Sequence, residues 1–311
     1  MEFAFMTEPQ VGGSYARLLE LAQWAESVSF DAFSRSDHYM DGQNSASATD
    51  ALATLAGLSR DTSTIRLNVL VSPLTFRHPG NLAKSAATID EMSGGRLELG
   101  VGTGWMESEH EAFGFDFPSL KDRFSRLEET VAYLRAAFGR AGGGFDGEHY
   151  RLADIDVLPG PTGPLPLIIG GGGPKRTPTI AGKYGDELNM FSKPLDQLTA
   201  RRDVMRAAAA EAGRDPDSIK LSLIGFPIIG DDEADYRDRL EARAAATDRD
   251  PGEYETFLTG RGMLHGTVDR VRSQFDALRH AGVGRYYIQA SAHLDDIDTD
   301  EVGRVLRLLR D

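Results

Sequence analysis

An aspartate followed directly by a histidine, Asp37-His38, is the pair in this sequence best suited to proton transfer. Histidine exchanges protons near neutral pH, and a neighbouring carboxylate can orient its ring. Both residues follow an apolar run at residues 30–33 that has the pattern of a buried strand. We therefore predict that His38 moves a proton or binds a cofactor, and that Asp37 orients it.

Four consecutive glycines at residues 170–173 join an apolar strand to the start of a helix. The run is not a Walker loop, because Pro174 and Arg176 stand where that motif requires glycine and serine or threonine. Glycines still let backbone N–H groups approach an anion, the helix N-terminus adds a positive dipole, and Lys175 and Arg176 add charge. We predict a phosphate-binding turn, with a purely structural turn as the alternative.

Residues 100–105, Gly-Val-Gly-Thr-Gly-Trp, form a third candidate region at the end of a strand. The segment lacks the last glycine of the dinucleotide-binding fingerprint, because Trp105 stands at that position. We interpret it as a strand end where a flat ring lies against the backbone, with Thr103 offering a hydroxyl and Trp105 an aromatic wall. Ordinary core packing is the alternative role for Trp105.

Other reactive patterns are absent or weak. The chain has no cysteine, which excludes disulfides, thiolate nucleophiles and cysteine-based metal sites. It has neither a GxSxG nor an HExxH motif, and Glu107, Glu109, His110 and Glu111 have the spacing of an exposed helix face, so we predict no metal site. Arg77 either binds a ligand or ties down its own loop, and the sequence leaves both roles open.

Apolar runs and helical patterns alternate along the chain, and this alternation must position the candidate residues. Strands are predicted at residues 3–6, 30–33, 65–71, 96–101, 165–169, 187–191, 219–226 and 285–289, each followed by a helical segment. Such alternation predicts a parallel sheet, and eight βα units favour an α/β fold of the (β/α)₈ TIM-barrel type. The candidate residues follow strands, so they converge at the face formed by the loops after the strands.

The barrel is predicted to occupy residues 1–311 as one domain, because α/β barrels routinely fill this length. Two insertion segments are expected to leave it. Residues 140–164, rich in Gly, Pro and Asp, are interpreted as a long excursion with a small hairpin, and residues 249–264 as an irregular segment.

The net charge of −14 argues against nucleic-acid binding, which needs a basic surface to neutralise phosphates. No stretch approaches 18 apolar residues, and residues 1–10 lack the pattern of a signal peptide. We therefore expect no membrane span and predict a soluble, cytoplasmic protein that acts on a small molecule. Any polyanionic ligand would need a local positive patch.

Taken together, the motifs resemble the bacterial luciferase-like monooxygenases, and within them the subgroup that uses the deazaflavin coenzyme F420. The resemblance covers nearly the whole chain and says little about the substrate. It is carried by residues 36–38 (Ser-Asp-His), 75–79 (Thr-Phe-Arg-His-Pro), 95–105, 168–174 and 184–189.

The resemblance implies a cofactor that lies across the C-terminal ends of the strands. A cis peptide at Leu70-Val71 would back its ring, and the glycine turn would hold its phosphate. The residues implied to bind the cofactor are Asp37, His38, Leu70, Val71, Thr103, Gly104, Trp105, Gly171, Gly172 and Gly173. Members of the family are often dimers, so the resemblance also implies a homodimer.

Two positions depart from the sugar-phosphate dehydrogenases of this subgroup. Those enzymes resemble this chain but carry a catalytic Glu at the position of Trp105 and an active-site Trp at the position of Gly42. Both departures argue against glucose-6-phosphate as the substrate.

We therefore predict a coenzyme F420-dependent oxidoreductase that transfers a hydride between the deazaflavin and an unidentified small organic molecule, with His38 moving the proton. Two alternatives stay open. One is an FMN-dependent monooxygenase that receives reduced flavin from a partner reductase. The other is a non-catalytic flavin-binding protein, which the intact Asp37-His38 pair disfavours because storage needs no proton relay.

Overall fold

Eight parallel strands close into a barrel in the computed structural model, which describes residues 1–41, 48–139 and 143–310. The strands are β1 (Glu2–Thr7), β2 (Ala32–Arg35), β3 (Arg66–Pro73), β4 (Leu97–Gly102), β5 (Phe145–Asp146), β6 (Arg151–Leu152), β7 (Leu167–Gly170), β8 (Glu187–Phe191), β9 (Lys220–Gly225), β10 (Ile228–Gly230), β11 (His265–Thr267) and β12 (Val283–Ala290). The order around the barrel is β1-β12-β9-β8-β7-β4-β3-β2. The prediction of a (β/α)₈ barrel is confirmed.

Helices follow each barrel strand and cover the outside of the barrel. They are α1 (Tyr15–Ser27), α2 (Ala51–Asp61), α3 (Pro79–Ser93), α4 (Glu107–Phe113), α5 (Leu120–Phe138), α6 (Arg176–Tyr184), α7 (Leu195–Glu211), α8 (Glu233–Ala245), α9 (Pro251–Gly260), α10 (Val268–His280) and α11 (Thr299–Arg310). Ser119 caps α5, since its hydroxyl accepts from the backbone N–H of Asp122 at 3.2 Å. No helix in these described ranges is long and apolar enough to span a membrane.

Successive side chains of a strand point alternately to the outer helices and to the barrel interior, so they form two apolar layers. In β1, Phe3 and Phe5 face the helices, whereas Ala4 and Met6 face the barrel interior. Both sets are buried, which is why the strands appear in the sequence as nearly continuous apolar runs. The second strand was predicted at residues 30–33 but lies two residues later, at Ala32–Arg35. Its pairing with β1 begins where Ala32 lies opposite Ala4.

A buried ionic cluster lies inside the barrel near the start of β12. Arg285 Nη1 lies 2.6 Å from Glu98 Oε2 and 3.0 Å from Glu187 Oε2. The Tyr287 hydroxyl donates to Glu187 Oε1 at 2.9 Å. Burial opposes ionisation of Glu98, but Arg285 and Arg66 outweigh it and lower its pKa to about 2. The cluster therefore holds charge in a place that water does not reach.

Of the two predicted insertion segments, one agrees with the structure and the other does not. The first contains the antiparallel pair β5–β6, in agreement with the predicted hairpin. The second is not irregular, because α9 fills most of residues 249–264. Asp250 caps this helix by accepting from Gly252 N and Glu253 N, and Tyr254 and Leu258 bury one face of it. The Asp-Pro start was a helix signal that the sequence interpretation missed.

Candidate active site

A cavity of about 370 Å³ opens at the C-terminal ends of the barrel strands. All eight barrel strands, or the turns that follow them, contribute to its wall. Seven of the predicted cofactor-binding residues line it: His38, Leu70, Val71, Thr103, Gly104, Trp105 and Gly171. The other three, Asp37, Gly172 and Gly173, are not part of the wall. Gly42 lies outside the residues that the structure describes.

Val71 forms the floor of the cavity, and glycines make room for it. A Cβ added at Gly170 would lie 2.6 Å from Val71 Cγ1, and one at Gly102 would lie 2.8 Å from Val71 Cγ2. No larger residue fits at either position while Val71 keeps its place. The Leu70–Val71 peptide is cis, as the resemblance implied. The glycines of the β4 and β7 ends therefore leave room for the Val71 side chain, in addition to any role in contacting a ligand.

His38 is oriented by Glu109 and not by Asp37, so the predicted pairing was wrong. The two atoms His38 Nδ1 and Glu109 Oε2 lie 3.0 Å apart. Because a carboxylate only accepts, Nδ1 carries the proton and donates it to this bond. Glu109 also accepts from the backbone N–H groups of Tyr39 and Met40, which anchors the carboxylate itself. The arrangement leaves Nε2 of His38 as the ring nitrogen without a partner within the described ranges.

Asp37 instead belongs to a buried network beneath the cavity wall. Arg77 forms an ion pair with it, and its Nη2 also contacts Asp37 Oδ1 at 3.2 Å. The same guanidinium donates to the Tyr39 hydroxyl and to the Ser72 hydroxyl, each at 3.0 Å, and forms an ion pair with Asp50. The open question about Arg77 is thus answered in favour of tying down the loops after β2 and β3.

Glu109 and His110 do not lie on an exposed helix face, contrary to the sequence interpretation. Both are buried, with relative exposures of 0% and 1%. His110 donates from Nδ1 to the Met106 carbonyl at 2.7 Å, and its Nε2 lies 2.6 Å from the Thr75 hydroxyl. Local spacing could not reveal this, because the partners of both residues come from loops 35 to 71 residues away or from the preceding turn.

Trp105 stands at the cavity rim with 70% of its surface exposed, so it is not a core residue. Its ring meets the His38 ring edge-on, with centroids 5.5 Å apart. Phe191, at the end of β8, is 51% exposed and also lines the cavity. Two large apolar side chains at the mouth of a cavity form an interaction surface for an apolar part of a ligand.

The glycine turn after β7 presents unpaired donors. Within the described residues, the N–H groups of Gly172 and Gly173 donate no hydrogen bond, whereas Gly171 N donates to the Asn189 carbonyl. Helix α6 begins with Lys175 as its N-cap, and no side chain caps it. Unpaired N–H groups at a helix N-terminus are suited to bind an anion.

A polar chain on the β1 side of the cavity was missed by the sequence interpretation. Gln289 Nε2 and Gln10 Nε2 each donate to the Glu8 carboxylate at 2.6 Å. The Ser36 hydroxyl donates to Gln10 Oε1 at 2.6 Å. All four residues line the cavity. Glu8 follows the end of the first strand directly, and this position is the signal that could have placed it at this face of the barrel.

One cluster outside the cavity brings possible metal ligands together. Glu129, Glu148 and His149 place one ligand atom each within 4.8 Å of one another. The Glu129 carboxylate, however, already accepts from the backbone N–H groups of Glu148 and His149 at 2.8 Å and of Tyr150 at 3.1 Å. Its role is to hold the turn of the β5–β6 hairpin against α5.

A family model described as luciferase-like monooxygenase matches residues 1–292. The chain belongs to the luciferase-like monooxygenase family. The resemblance drawn from the motifs is therefore confirmed at the level of the family.

Individual luciferase-like relatives carry more specific names. The F420-dependent glucose-6-phosphate dehydrogenase of Mycolicibacterium smegmatis is 33% identical over 207 residues, which cover 65% of this chain and 61% of that enzyme. The F420-dependent hydroxymycolic acid dehydrogenase of Mycobacterium tuberculosis is 31% identical over 224 residues, which cover 71% of this chain and 61% of that enzyme. The match thus spans 61% of the length of each relative.

Two solved structures share the whole fold of this chain. An F420-dependent secondary alcohol dehydrogenase in complex with an F420-acetone adduct has a TM-score of 0.79 at 20% identity and covers 100% of this chain and 99% of its own. A monooxygenase from Streptomyces bottropensis has a TM-score of 0.80 at 24% identity, covering 99% and 97%. At these identities the likeness shows the barrel alone.

Proposed function

We propose that this protein is a coenzyme F420-dependent oxidoreductase acting on a small organic molecule. The observation that carries the proposal is the presence, around one cavity, of a histidine held for proton transfer and a glycine turn with unpaired N–H groups. Relatives at 31% and 33% identity that are named as F420-dependent dehydrogenases support it.

The residues present fit such a cofactor. The cavity lining at Val71 is flanked by Gly102 and Gly170, which carry no side chains, and this arrangement would leave room for a planar ring system. The unpaired N–H groups of Gly172 and Gly173, followed by the uncapped start of α6, suit a phosphate. His38 lines the same cavity. We infer that these residues would hold the ring and the phosphate.

Bound deazaflavin would supply two-electron hydride chemistry, and the protein would then have to position the substrate and manage one proton. Glu109 fixes Nδ1–H of His38, so Nε2 is the atom that would accept or deliver this proton. Asp37 acts at a distance, since its ion pair with Arg77 holds the loop that carries His38. Its proposed role is positioning and not catalysis.

The rim favours a substrate with an apolar part. Trp105 and Phe191 are the exposed apolar side chains nearest the opening on the β4 and β8 sides. Trp105 also places an indole where the resemblance puts the carboxylate of the sugar-phosphate dehydrogenases. We therefore propose a substrate other than glucose-6-phosphate, with an activated C=C, C=O or C=N group as the hydride acceptor when the enzyme works as a reductase.

A fluorescence titration with coenzyme F420 and with FMN, side by side, tests the cofactor class. We expect F420 to bind with micromolar affinity or better, because the cavity offers a floor for the ring and the glycine turn adjoins its wall at Gly171. Tight FMN binding without F420 binding would instead indicate a two-component flavin monooxygenase. Binding of a deazaflavin with no turnover on any acceptor would favour a non-catalytic flavin-binding protein.

Replacing Gly173 by valine tests the phosphate turn. A Cβ at Gly173 would lie 3.5 Å from the Thr177 hydroxyl, an ordinary contact, so the fold should survive the substitution. The branched side chain should keep a phosphate away from the backbone N–H groups, so F420 affinity should fall at least tenfold. Equal affinity in a variant with an unchanged melting temperature would reduce the run to a structural turn.

Replacing Glu109 by alanine tests how His38 is positioned. The change leaves Nδ1–H of His38 without its acceptor, and we expect turnover to fall roughly tenfold to a hundredfold, the usual effect of losing an orienting partner. F420 affinity should change little, since Glu109 is not part of the cavity wall. Glu109→Gln is the matched control, because its amide oxygen can still accept and should recover part of the rate. Equal turnover in the wild type and in both Glu109 variants would contradict the proposal that Glu109 positions His38.

A further inference from the structure

A carboxylate lies in the wall of the cavity on the side of β1. Glu8 follows the end of β1 directly, and it lines the cavity although only 9% of its surface is exposed. Of the described residues that line this cavity, only Glu8 and His38 have ionisable side chains. Glu8 is therefore the acidic group that a ligand in this part of the cavity would meet.

Two amide groups hold this carboxylate. Gln289 on β12 donates from Nε2 to Glu8 Oε1, and Gln10 in the loop after β1 donates from Nε2 to Glu8 Oε2, each at 2.6 Å. The Ser36 hydroxyl donates to Gln10 Oε1, which fixes the orientation of that amide. Because β12, β1 and β2 are neighbours in the barrel, the four side chains form one continuous row along the wall.

The loop that carries Gln10 packs closely against the loop after β12. Gly13 adopts φ +131°, and a Cβ on it would lie 2.5 Å from Leu294 Cβ. Only glycine permits so close an approach. The N–H of Leu294 also donates to the Gly12 carbonyl at 2.9 Å. The position of the Glu8 carboxylate is therefore set by the fold of these two loops.

No cation neutralises Glu8 in the part of the chain that the structure describes. Its oxygens accept from the amide groups of Gln10 and Gln289, and it forms no ion pair within those ranges. A carboxylate offers about four acceptor positions, so about two stay open to a ligand. Burying a charge is costly unless an opposite charge joins it. A cation that enters the cavity would remove this cost, whereas an anionic group would be repelled.

The negative charge distinguishes this position from the rest of the wall. A neutral hydroxyl or amide of a ligand could be bound by glutamine or serine side chains, and the wall already contains Gln10, Ser36 and Gln289. At the opening, Trp105 and Phe191 provide an apolar surface. A ligand that matches both features has a positively charged nitrogen and an apolar part.

We propose that Glu8 binds a positively charged nitrogen group of the organic substrate, an ammonium or a similar N–H donor. The inference rests on the proposed function and deepens it, because it names the charge class of the substrate. The carboxylate selects small cations with an apolar part and disfavours anionic molecules such as sugar phosphates.

Calorimetric titrations of the F420-loaded protein with benzylammonium and with benzyl alcohol test this proposal. The two probes share one apolar ring and differ in charge. Glu8→Gln removes the charge and keeps the shape, and Glu111→Gln, which removes an equal charge from the exposed surface of α4, is the matched control. We expect benzylammonium to bind Glu8→Gln about tenfold more weakly than the wild type or the control, as for one charge-assisted hydrogen bond. Benzyl alcohol should bind all three proteins equally, which also shows that the cavity is intact.

The proposal is overturned if benzylammonium binds Glu8→Gln as it binds Glu111→Gln. Equal losses for both probes would overturn it too, because recognition of charge affects only the cation. A tenfold loss of F420 affinity in Glu8→Gln would assign the carboxylate to the cofactor and would also overturn it. Failure of the proposed function has a different signature, since F420 would then not bind the wild type. The same two titrations of the ligand-free proteins would in that case decide whether Glu8 binds a cation.

Discussion

Turnover of the His38→Ala variant should be roughly two to four orders of magnitude below that of the wild type, the usual contribution of a positioned acid or base. Glu109 holds the imidazole through Nδ1 at 3.0 Å, the ring packs against Trp105 in a T-shaped pair, and Nε2 is the ring atom left to exchange a proton. Affinity for F420 should change little, because the floor at Val71 and the glycine turn are untouched. Deazaflavin absorbance, followed with a substrate or an artificial acceptor, measures the rate.

His38→Gln separates proton transfer from hydrogen bonding. Glutamine can donate to and accept from a bound ring, but it does not exchange a proton at neutral pH. We expect the Gln variant to bind F420 like the wild type and to turn over as slowly as the Ala variant. Recovery of turnover with Gln would show that His38 is a cofactor ligand and would move the proton to another group or to solvent.

Replacing Arg285 by methionine should produce the largest loss of stability. The guanidinium is 1% exposed and lies between Glu98 and Glu187, so its removal leaves two carboxyl groups facing each other inside the barrel. Removing one partner of a buried ion pair lowers the free energy of unfolding by about 3–5 kcal/mol. Urea denaturation of the wild type and the variant measures this loss. The slope of the unfolding free energy against urea concentration is compared between the two proteins. Arg237→Met, which removes the half-exposed ion pairs of this residue with Glu233 on α8 and Glu255 on α9, should leave the midpoint nearly unchanged.

The double variant Glu98→Gln with Arg285→Met should recover part of that stability, because it removes one of the two opposed carboxylates. A single-variant loss as small as that of Arg237→Met would contradict the assignment of this cluster as a buried ionic core.

The same cluster predicts how stability depends on pH. The pKa of Glu98 falls from 4.5 to about 2 on folding, so its contribution is complete above pH 4.5 and is lost as the pH falls toward 2. Burial, opposed by Arg285 but reinforced by Glu98, raises the pKa of Glu187, and this acts in the opposite sense. The Glu98→Gln variant should therefore lose less stability than the wild type as the pH falls below 4.5. Thermal unfolding between pH 3 and 7 measures this difference.

The barrel could be predicted because it depends on a repeating local signal. Each strand is buried on both faces, which produces an apolar run, and each helix buries one stripe, which produces the helical spacing. Eight repeats allow errors of two residues, as at β2, without changing the fold. Helix α9 was missed because its burial depends on α8: Tyr254 and Leu258 pack with Tyr236 and Leu240 of that helix.

The end of the barrel at which the candidate residues gather could be predicted for a related reason. All parallel strands end at the same face, so residues that follow strands meet there wherever they lie in the chain. Seven predicted residues, including His38 and Trp105, line one cavity as a consequence. Glu8 and Gln289 also lie at strand ends and line this cavity, so the same argument could have predicted them.

By itself the sequence thus determined the class of fold, the face that carries the site and the histidine on its wall. Only the tertiary structure decided which side chains are partners. Asp37 adjoins His38 in the chain, yet Glu109 holds the imidazole and Arg77 holds Asp37. Lys193, and not the adjacent Lys175, stands against Gly172. The physical reason is that a buried or crowded charge is satisfied by whichever group the closed barrel brings within about 3 Å, and that distance is unrelated to separation along the chain.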